Sequence, residues 1–245
     1  MCIAAFAVGS SPELALVFAA NRDELHERPT AAADWWGDHP TVLGGRDLLA
    51  GGSWLAVDRR GRLAAVTNLP QAVRGEFPRS RGGLVLGFLD GDATAARFAA
   101  QFSAERDAYG PCNLLLWDGR EFWYAATGVA PVRLPAGVHA VSNALYGTDW
   151  PRVHRATEGL RASLGDGDPP SALLTMLGNG GDGSTIDDRA ERHRTEIFIR
   201  DPRYGTRSST AIVIGNDGNV QFAERSFAAD AVPAGERRYE FRIDR

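Results

Sequence analysis

Residues 2–8, Cys2-Ile3-Ala4-Ala5-Phe6-Ala7-Val8, and residues 14–24, Leu14-Ala15-Leu16-Val17-Phe18-Ala19-Ala20 running into Asn21-Arg22-Asp23-Glu24, decide how this chain is read. Between the two apolar runs stands Gly9-Ser10-Ser11-Pro12, which is turn chemistry, so the runs predict an antiparallel hairpin. The second run ends abruptly in four strongly polar residues. In a hairpin that end returns to the start of the first run, which brings Arg22 and Asp23 towards Cys2.

Working outward, the same pattern recurs. Apolar runs at 53–57 and 63–67 flank Asp58-Arg59-Arg60-Gly61-Arg62 as a second hairpin, after a polar, proline-bearing stretch. Helical periodicity follows at 83–89 and 93–106, with Asp92 and Thr94 as competing N-caps. Strands are expected at 113–117, 121–126, 132–134 and 138–142, and helices at 150–164 and 171–177, with Pro169-Pro170 between them. Short strands at 197–199, 211–214, 220–225 and 239–243 complete the chain, two of them joined by the turn Asn216-Asp217-Gly218-Asn219. Hairpins in runs and helices in pairs argue for an α+β fold with mostly antiparallel sheets, not a doubly wound parallel one. No linker or repeat divides the sequence, so 1–245 reads as a single domain.

Composition narrows the chemistry. Of 245 residues, 44% are hydrophobic and 24% charged, with a formal net charge of -4, which is ordinary for a soluble globular chain. No basic stripe offers a nucleic-acid footprint. All 27 basic residues are arginine and none is lysine, which removes Schiff-base chemistry, the phosphate-binding P-loop and Ser–Lys pairs together. Two cysteines are too few for a disulfide scaffold, the first apolar run lacks a basic lead, and no run reaches the roughly 18 residues of a membrane span. A cytoplasmic protein without an integral membrane segment is expected. Residues 178–183 match G-x-G-x-x-G, but they follow a helix where a dinucleotide site needs a strand, so they read as a glycine loop. The five histidines lack ligand spacing, and no metal site is expected.

Cys2 stands out by position. If Met1 is removed, Cys2 carries a free α-amine beside its thiol, and an amine with a pKa of about 7.7–8.0 can take the thiol proton without a histidine. Arg22 would favour the thiolate and Asp23 would position the amine. Against this stand plainer readings: a buried cysteine in a first strand, and a charged strand exit making local ion pairs. Further polar clusters mark strand ends at Gly44-Gly45-Arg46-Asp47, Gly51-Gly52-Ser53-Trp54, Thr67-Asn68, Ser142-Asn143 and Gly205-Thr206-Arg207-Ser208-Ser209-Thr210. Asn68 and Asn143 are candidate oxyanion donors or turn formers, while Trp35, Trp36, Trp54 and Trp150 suit a ligand pocket or the core. Cys112 reads as a small apolar residue at a strand start.

Taken in order, these clusters, together with Arg28-Pro29, Ser80-Arg81-Gly82 and Trp150-Pro151-Arg152-Val153, resemble the NRDE family, also called the transport-and-Golgi-organisation protein 2 family. The resemblance implies an N-terminal-nucleophile hydrolase fold, a four-layer αββα sandwich with the nucleophile at the start of its first strand. By similarity to the bile-salt hydrolase and penicillin V acylase group, Cys2 would attack an amide carbonyl with Arg22 and Asp23 in support. Asn143 looks like the oxyanion-hole residue, and Asn68 and Arg207 are looser matches. Arg46, Asn68, Trp54 and Trp150 are the expected substrate contacts. In those acylases two residues separate the Arg from the Asp, whereas Arg22 and Asp23 are adjacent. The family's link to haem trafficking and lipid metabolism implies a second reading, a carrier of haem or an acyl lipid using the same pocket. No cofactor is required on the first reading, and the partner is a small-molecule amide, an acyl lipid or haem.

Overall fold

The computed structural model describes residues 2–70, 75–165, 168–178 and 188–244. In chain order its strands are β1 (Cys2–Val8), β2 (Leu14–Leu25), β3 (Thr30–Trp35), β4 (Val42–Asp47), β5 (Leu55–Asp58), β6 (Leu63–Asn68), β7 (Cys112–Trp117), β8 (Phe122–Ala126), β9 (Val129–Leu134), β10 (Gly137–Val141), β11 (Tyr204–Gly215), β12 (Asn219–Phe227) and β13 (Pro233–Arg242). The helices are α1 (Gly82–Asp90), α2 (Ala95–Glu105), α3 (Pro151–Ser163), α4 (Pro169–Gly178) and α5 (Arg189–Thr195). These elements form two compact units: residues through Arg28 with Ala136–Ser142 and Tyr146–Phe241, and Pro29–Pro135 with Asn143–Leu145 and Arg242–Arg245. The fold class is the expected α+β, with two antiparallel sheets.

The first unit carries a six-stranded sheet in the order β10-β1-β2-β11-β12-β13. The opening hairpin is present, with Cys2 paired to Arg22 and Val8 to Leu16. Alternation along the strands sends Ile3, Ala5, Ala7, Val17, Ala19, Ala211 and Val213 to one face, where they pack with Leu160 of α3 and Leu173, Leu174 and Leu177 of α4. Small side chains on the strands let these helices lie close. Cys2 and Arg22 point to the opposite face by the same alternation.

The second unit carries a seven-stranded meander, β3-β4-β5-β6-β7-β8-β9. Val42, Ala56, Ala64, Val66, Leu114 and Leu116 form one face beneath Leu84, Val85 and Phe88 of α1 and Ala99 and Phe102 of α2. Thr94 wins the N-cap of α2, its hydroxyl accepting from the Arg97 amide at 3.2 Å.

Several expectations need correction. The polar stretch before residue 53 contains β3 and β4, hidden because Gly44-Gly45 reads as a turn. Those glycines lie within β4 because it is closely covered: a Cβ on Gly44 would lie 2.6 Å from the Leu55 carbonyl oxygen, and one on Gly45 2.3 Å from the Trp54 ring. Pro169 and Pro170 begin α4 instead of separating helices, since a first turn tolerates proline. Residues 197–199 are buried but form no strand, and α5 precedes them. Side chains of Asn21, Arg152 and Thr206 bond the Ile197 carbonyl and the Ile199 amide, and the Thr206 amide bonds the Ile199 carbonyl, in place of a strand ladder. The glycine motif at 178–183 lies, apart from Gly178, outside the described residues, as does Met1.

Candidate active site

Pairing across the first hairpin fixes the surroundings of the candidate nucleophile. Cys2 is partly exposed, stands directly opposite Arg22, and its carbonyl accepts from Ser142 Oγ at 2.8 Å, just past the end of β10. The Asp23 backbone N–H donates to the Cys2 sulfur. Burial nevertheless pushes the thiol pKa up, with the Asp23 carboxylate charge acting the same way, and the charge of the amino terminus, the Asp23 amide and Arg22 only partly oppose it. Arg22 favours the thiolate, as a cation opposite the thiol should, but desolvation outweighs the guanidinium. A thiol in this state needs a base at the moment of reaction.

The adjacency of Arg22 and Asp23 has a simple consequence in a strand. Arg22 shares the face of Cys2, while Asn21 and Asp23 turn towards α3 and α4. Asn21 uses its amide to hold the carbonyls of Leu177 and Ile197 at 3.0 and 2.9 Å, and its oxygen accepts from Ser209 Oγ at 2.6 Å. It staples α4 and the 197–199 segment to β2 and β11.

Asp23 is gripped more firmly. One carboxylate oxygen meets Arg152 Nη2 at 3.0 Å, both side chains being fully buried, and the other accepts from Thr206 Oγ1 at 2.8 Å. Its carbonyl accepts from the Tyr204 hydroxyl at 2.7 Å. Arg152 also donates to the carbonyls of His193 and Ile197. Removing one partner of such a buried pair typically costs about 3–5 kcal/mol, because the other charge is stranded. Thr206 closes the arrangement: its hydroxyl accepts from the Ile199 amide, its own amide donates to the Ile199 carbonyl, and a Cβ on Gly205 would come within 2.7 Å of that carbonyl oxygen. A glycine before Thr206 is what lets the segment approach.

Opposite Asp23 the ladder slips between Thr206 and Ser208, leaving Arg207 in a bulge. Arg207 donates to the carbonyls of Leu25, His26 and Arg28, so it clamps the chain leaving β2. Ser208 pairs with Arg22, and its buried hydroxyl has no hydrogen-bond partner among the described residues. Trp150 is the N-cap residue of α3, with the Arg194 guanidinium 5.9 Å from its ring centre.

The second unit brings together the two predicted asparagines. Asn143 is buried and donates to the Asn68 carbonyl at 2.7 Å. Beneath them Asn113 donates to Thr67 Oγ1 and the Ala144 carbonyl and accepts from the Tyr124 hydroxyl. Arg46 forks onto Asp38 with two 2.7 Å bonds and stacks 4.3 Å over Trp36. Trp54 covers Gly45, and Trp36 is core. Cys112 lies in the apolar cluster below α1 and α2, where burial pushes its thiol pKa up to about 12.

Sequence reading missed Ser142, Arg152, Tyr204 and Thr206 as a supporting shell. Thr206 was visible as part of a polar strand-end cluster, but nothing local distinguishes a buried arginine such as Arg152 from the other arginines on helices. Among the described residues no cluster of three or more His, Cys, Asp or Glu suits a metal ion, and no helix is long and apolar enough to cross a membrane.

The sequence model of one family, described as Transport and Golgi organisation 2, matches residues 1–229. The chain belongs to that family. It is 34% identical to the Transport and Golgi organization protein 2 homolog of Bos taurus and 32% identical to that of Homo sapiens, in each case over 99% of both chains. Among solved structures it resembles the Caenorhabditis elegans ortholog of N-acylethanolamine-hydrolyzing acid amidase, with a TM-score of 0.55 and 14% identity over 86% of this chain and 92% of that one. A variant of conjugated bile acid hydrolase from Clostridium perfringens matches with a TM-score of 0.52 and 10% identity over 99% of this chain and 98% of that one. The family member described here thus has the fold of the N-terminal-nucleophile hydrolases.

Proposed function

We propose that this Transport and Golgi organisation 2 family protein is an N-terminal cysteine hydrolase that cleaves a C–N amide bond of a small, non-peptide molecule. The observation that carries the reading is the setting of Cys2, a partly exposed residue opening the first strand, its thiol opposite Arg22 and receiving the Asp23 amide. The likeness in fold to an acid amidase and a bile acid hydrolase supports it.

With Met1 removed, the Cys2 α-amine takes the thiol proton as sulfur attacks the amide carbonyl, which fits a thiol that burial keeps protonated. The amine then passes that proton to the departing nitrogen, leaving a thioester. Water deprotonated by the same amine releases the acid and restores the thiol. Asn143 and Asn68 are the proposed donors to the oxyanion, and Arg46, Trp54 and Trp150 the proposed substrate contacts.

Intact mass of the purified protein, before and after incubation with a p-nitrophenyl acyl ester, tests the reading. The expected result is a chain lacking Met1 that gains one acyl group, with no gain in Cys2→Ala. Met1 retained in most molecules, or no adduct on Cys2, would remove the nucleophile or its base. Saturable binding of haemin or an acyl lipid without acylation would transfer the assignment to the carrier reading.

A further inference from the structure

Asp23 meets its surroundings at every polar group. Its carboxylate is held by Arg152 and Thr206, its carbonyl by Tyr204, and its amide faces the Cys2 sulfur. A carboxylate employed directly on the nucleophile has little reason to be locked into a fully buried ion pair on the helix face of the sheet. The arrangement makes sense if the side chain is an anchor and the peptide group is the working part.

The anchor reaches far along the sequence. Arg152, near the start of α3, spreads its guanidinium over Asp23, the His193 carbonyl at the end of α5 and the Ile197 carbonyl beyond it. A planar fork can hold three such acceptors in fixed directions, which an ammonium cannot. The bulge at Arg207 separates the pair Arg22–Ser208 from the pair Asp23–Thr206, so the direction of β2 changes between the two residues nearest Cys2 and has to be fixed there.

We infer that Arg152 is a positioning residue that acts through Asp23, fixing β2 so that the Asp23 peptide N–H points at the Cys2 sulfur. This rests on Cys2 being the nucleophile of the proposed reaction, but its test needs no substrate. The charged groups facing the thiol are the amino terminus of the chain and, on β2, Asp23 and Arg22, and a charge-conserving substitution at Arg152 leaves all three in place.

The experiment is the rate of Cys2 alkylation by iodoacetamide against pH, in full-length protein carrying Cys112→Ala, with a thermal melt for each variant. Arg152→Lys keeps the positive charge and loses the fork. Its alkylation midpoint is expected to rise by about 0.5–1 unit, equivalent to a rate about 3–10-fold lower below the midpoint. Were Arg152 only a structural support, a folded Arg152→Lys protein would keep the wild-type midpoint, and that result overturns the inference. Should Arg152→Lys not fold, Thr206→Val removes the second grip on the carboxylate while keeping shape. A rise in the same direction there supports the anchoring of Asp23, and an unchanged midpoint sinks it. A shifted midpoint in a protein that hydrolyses no amide would leave the positioning role standing and remove only the hydrolase reading.

Discussion

The two cysteines each open a strand in the interior of a sheet, Cys2 on β1 and Cys112 on β7, yet their surroundings differ in kind. Around Cys2 stand Arg22, the Asp23 amide and the carbonyl clamp from Ser142, with a second polar layer of Arg152, Thr206 and Tyr204 behind. Cys112 belongs to an apolar cluster with Leu84, Val85, Phe102 and Leu114, where the Thr127 hydroxyl accepts from its amide and bonds its thiol, and the Arg81 charge is too weak to offset burial. Placing a cysteine at a strand start does not make a site. What makes one is a shell of charged and hydrogen-bonding groups whose own burial has been compensated.

The largest effect expected from this contrast is in reactivity. With a pKa of about 12, Cys112 is thiolate to only about one part in ten thousand at pH 8, and it is fully enclosed. Iodoacetamide at pH 8 should therefore label Cys2 faster than Cys112 in the folded protein, as read by peptide mapping. Comparable rates at both residues would erase the distinction.

A second measurement turns the same contrast into stability. The Cys112 thiol has its pKa raised in the folded chain, so the unfolded chain loses the proton first as pH rises. The contribution is complete below the ordinary value of 9.0 and is lost as pH climbs towards about 12. At pH 10 about 1 kcal/mol should be gone relative to pH 8. Cys112→Ala carries a cavity cost that does not depend on pH, so urea unfolding should show wild type and variant converging between pH 8 and 10. Parallel behaviour over that range would mean that Cys112 is not protected from ionisation.

The contrast also explains what the sequence could reveal. The first hairpin was legible because its apolar runs, turn and polar exit are contiguous, and the register Cys2 to Arg22 follows from them. β3 and β4 were not, because Gly44 and Gly45 look like turn residues until Leu55 and Trp54 are seen pressing on them. The segment 197–199 looked like a strand because it is apolar and buried, yet its backbone bonds go to Asn21, Arg152 and Thr206. Those three partners lie between 7 and 176 positions away along the chain, so no local pattern announces them. The same holds for Arg152 as the anchor of Asp23, at a separation of 129.

Arg22 gives the smallest and most pointed test. Its guanidinium lowers the Cys2 pKa, but less than burial raises it and less than the Asp23 amide lowers it. Removing it should move the alkylation midpoint upward, by under about one unit, with a rate at pH 8 about 2–5-fold lower. The direction is fixed by charge: a cation beside the thiol favours thiolate, so its loss disfavours it. Arg22→Lys restores the charge on a flexible stem without the planar fork, and should recover part of the shift. Because Arg22 is buried beside Ser208, Arg22→Ala also leaves space in the sheet face, and a melt must accompany each curve to separate loosening from electrostatics. If the midpoint in a folded Arg22→Ala protein stayed where it was, the charge opposite Cys2 would have no hold on the thiol. The amino terminus and the Asp23 amide would then be left as the groups that favour the thiolate at the start of β1.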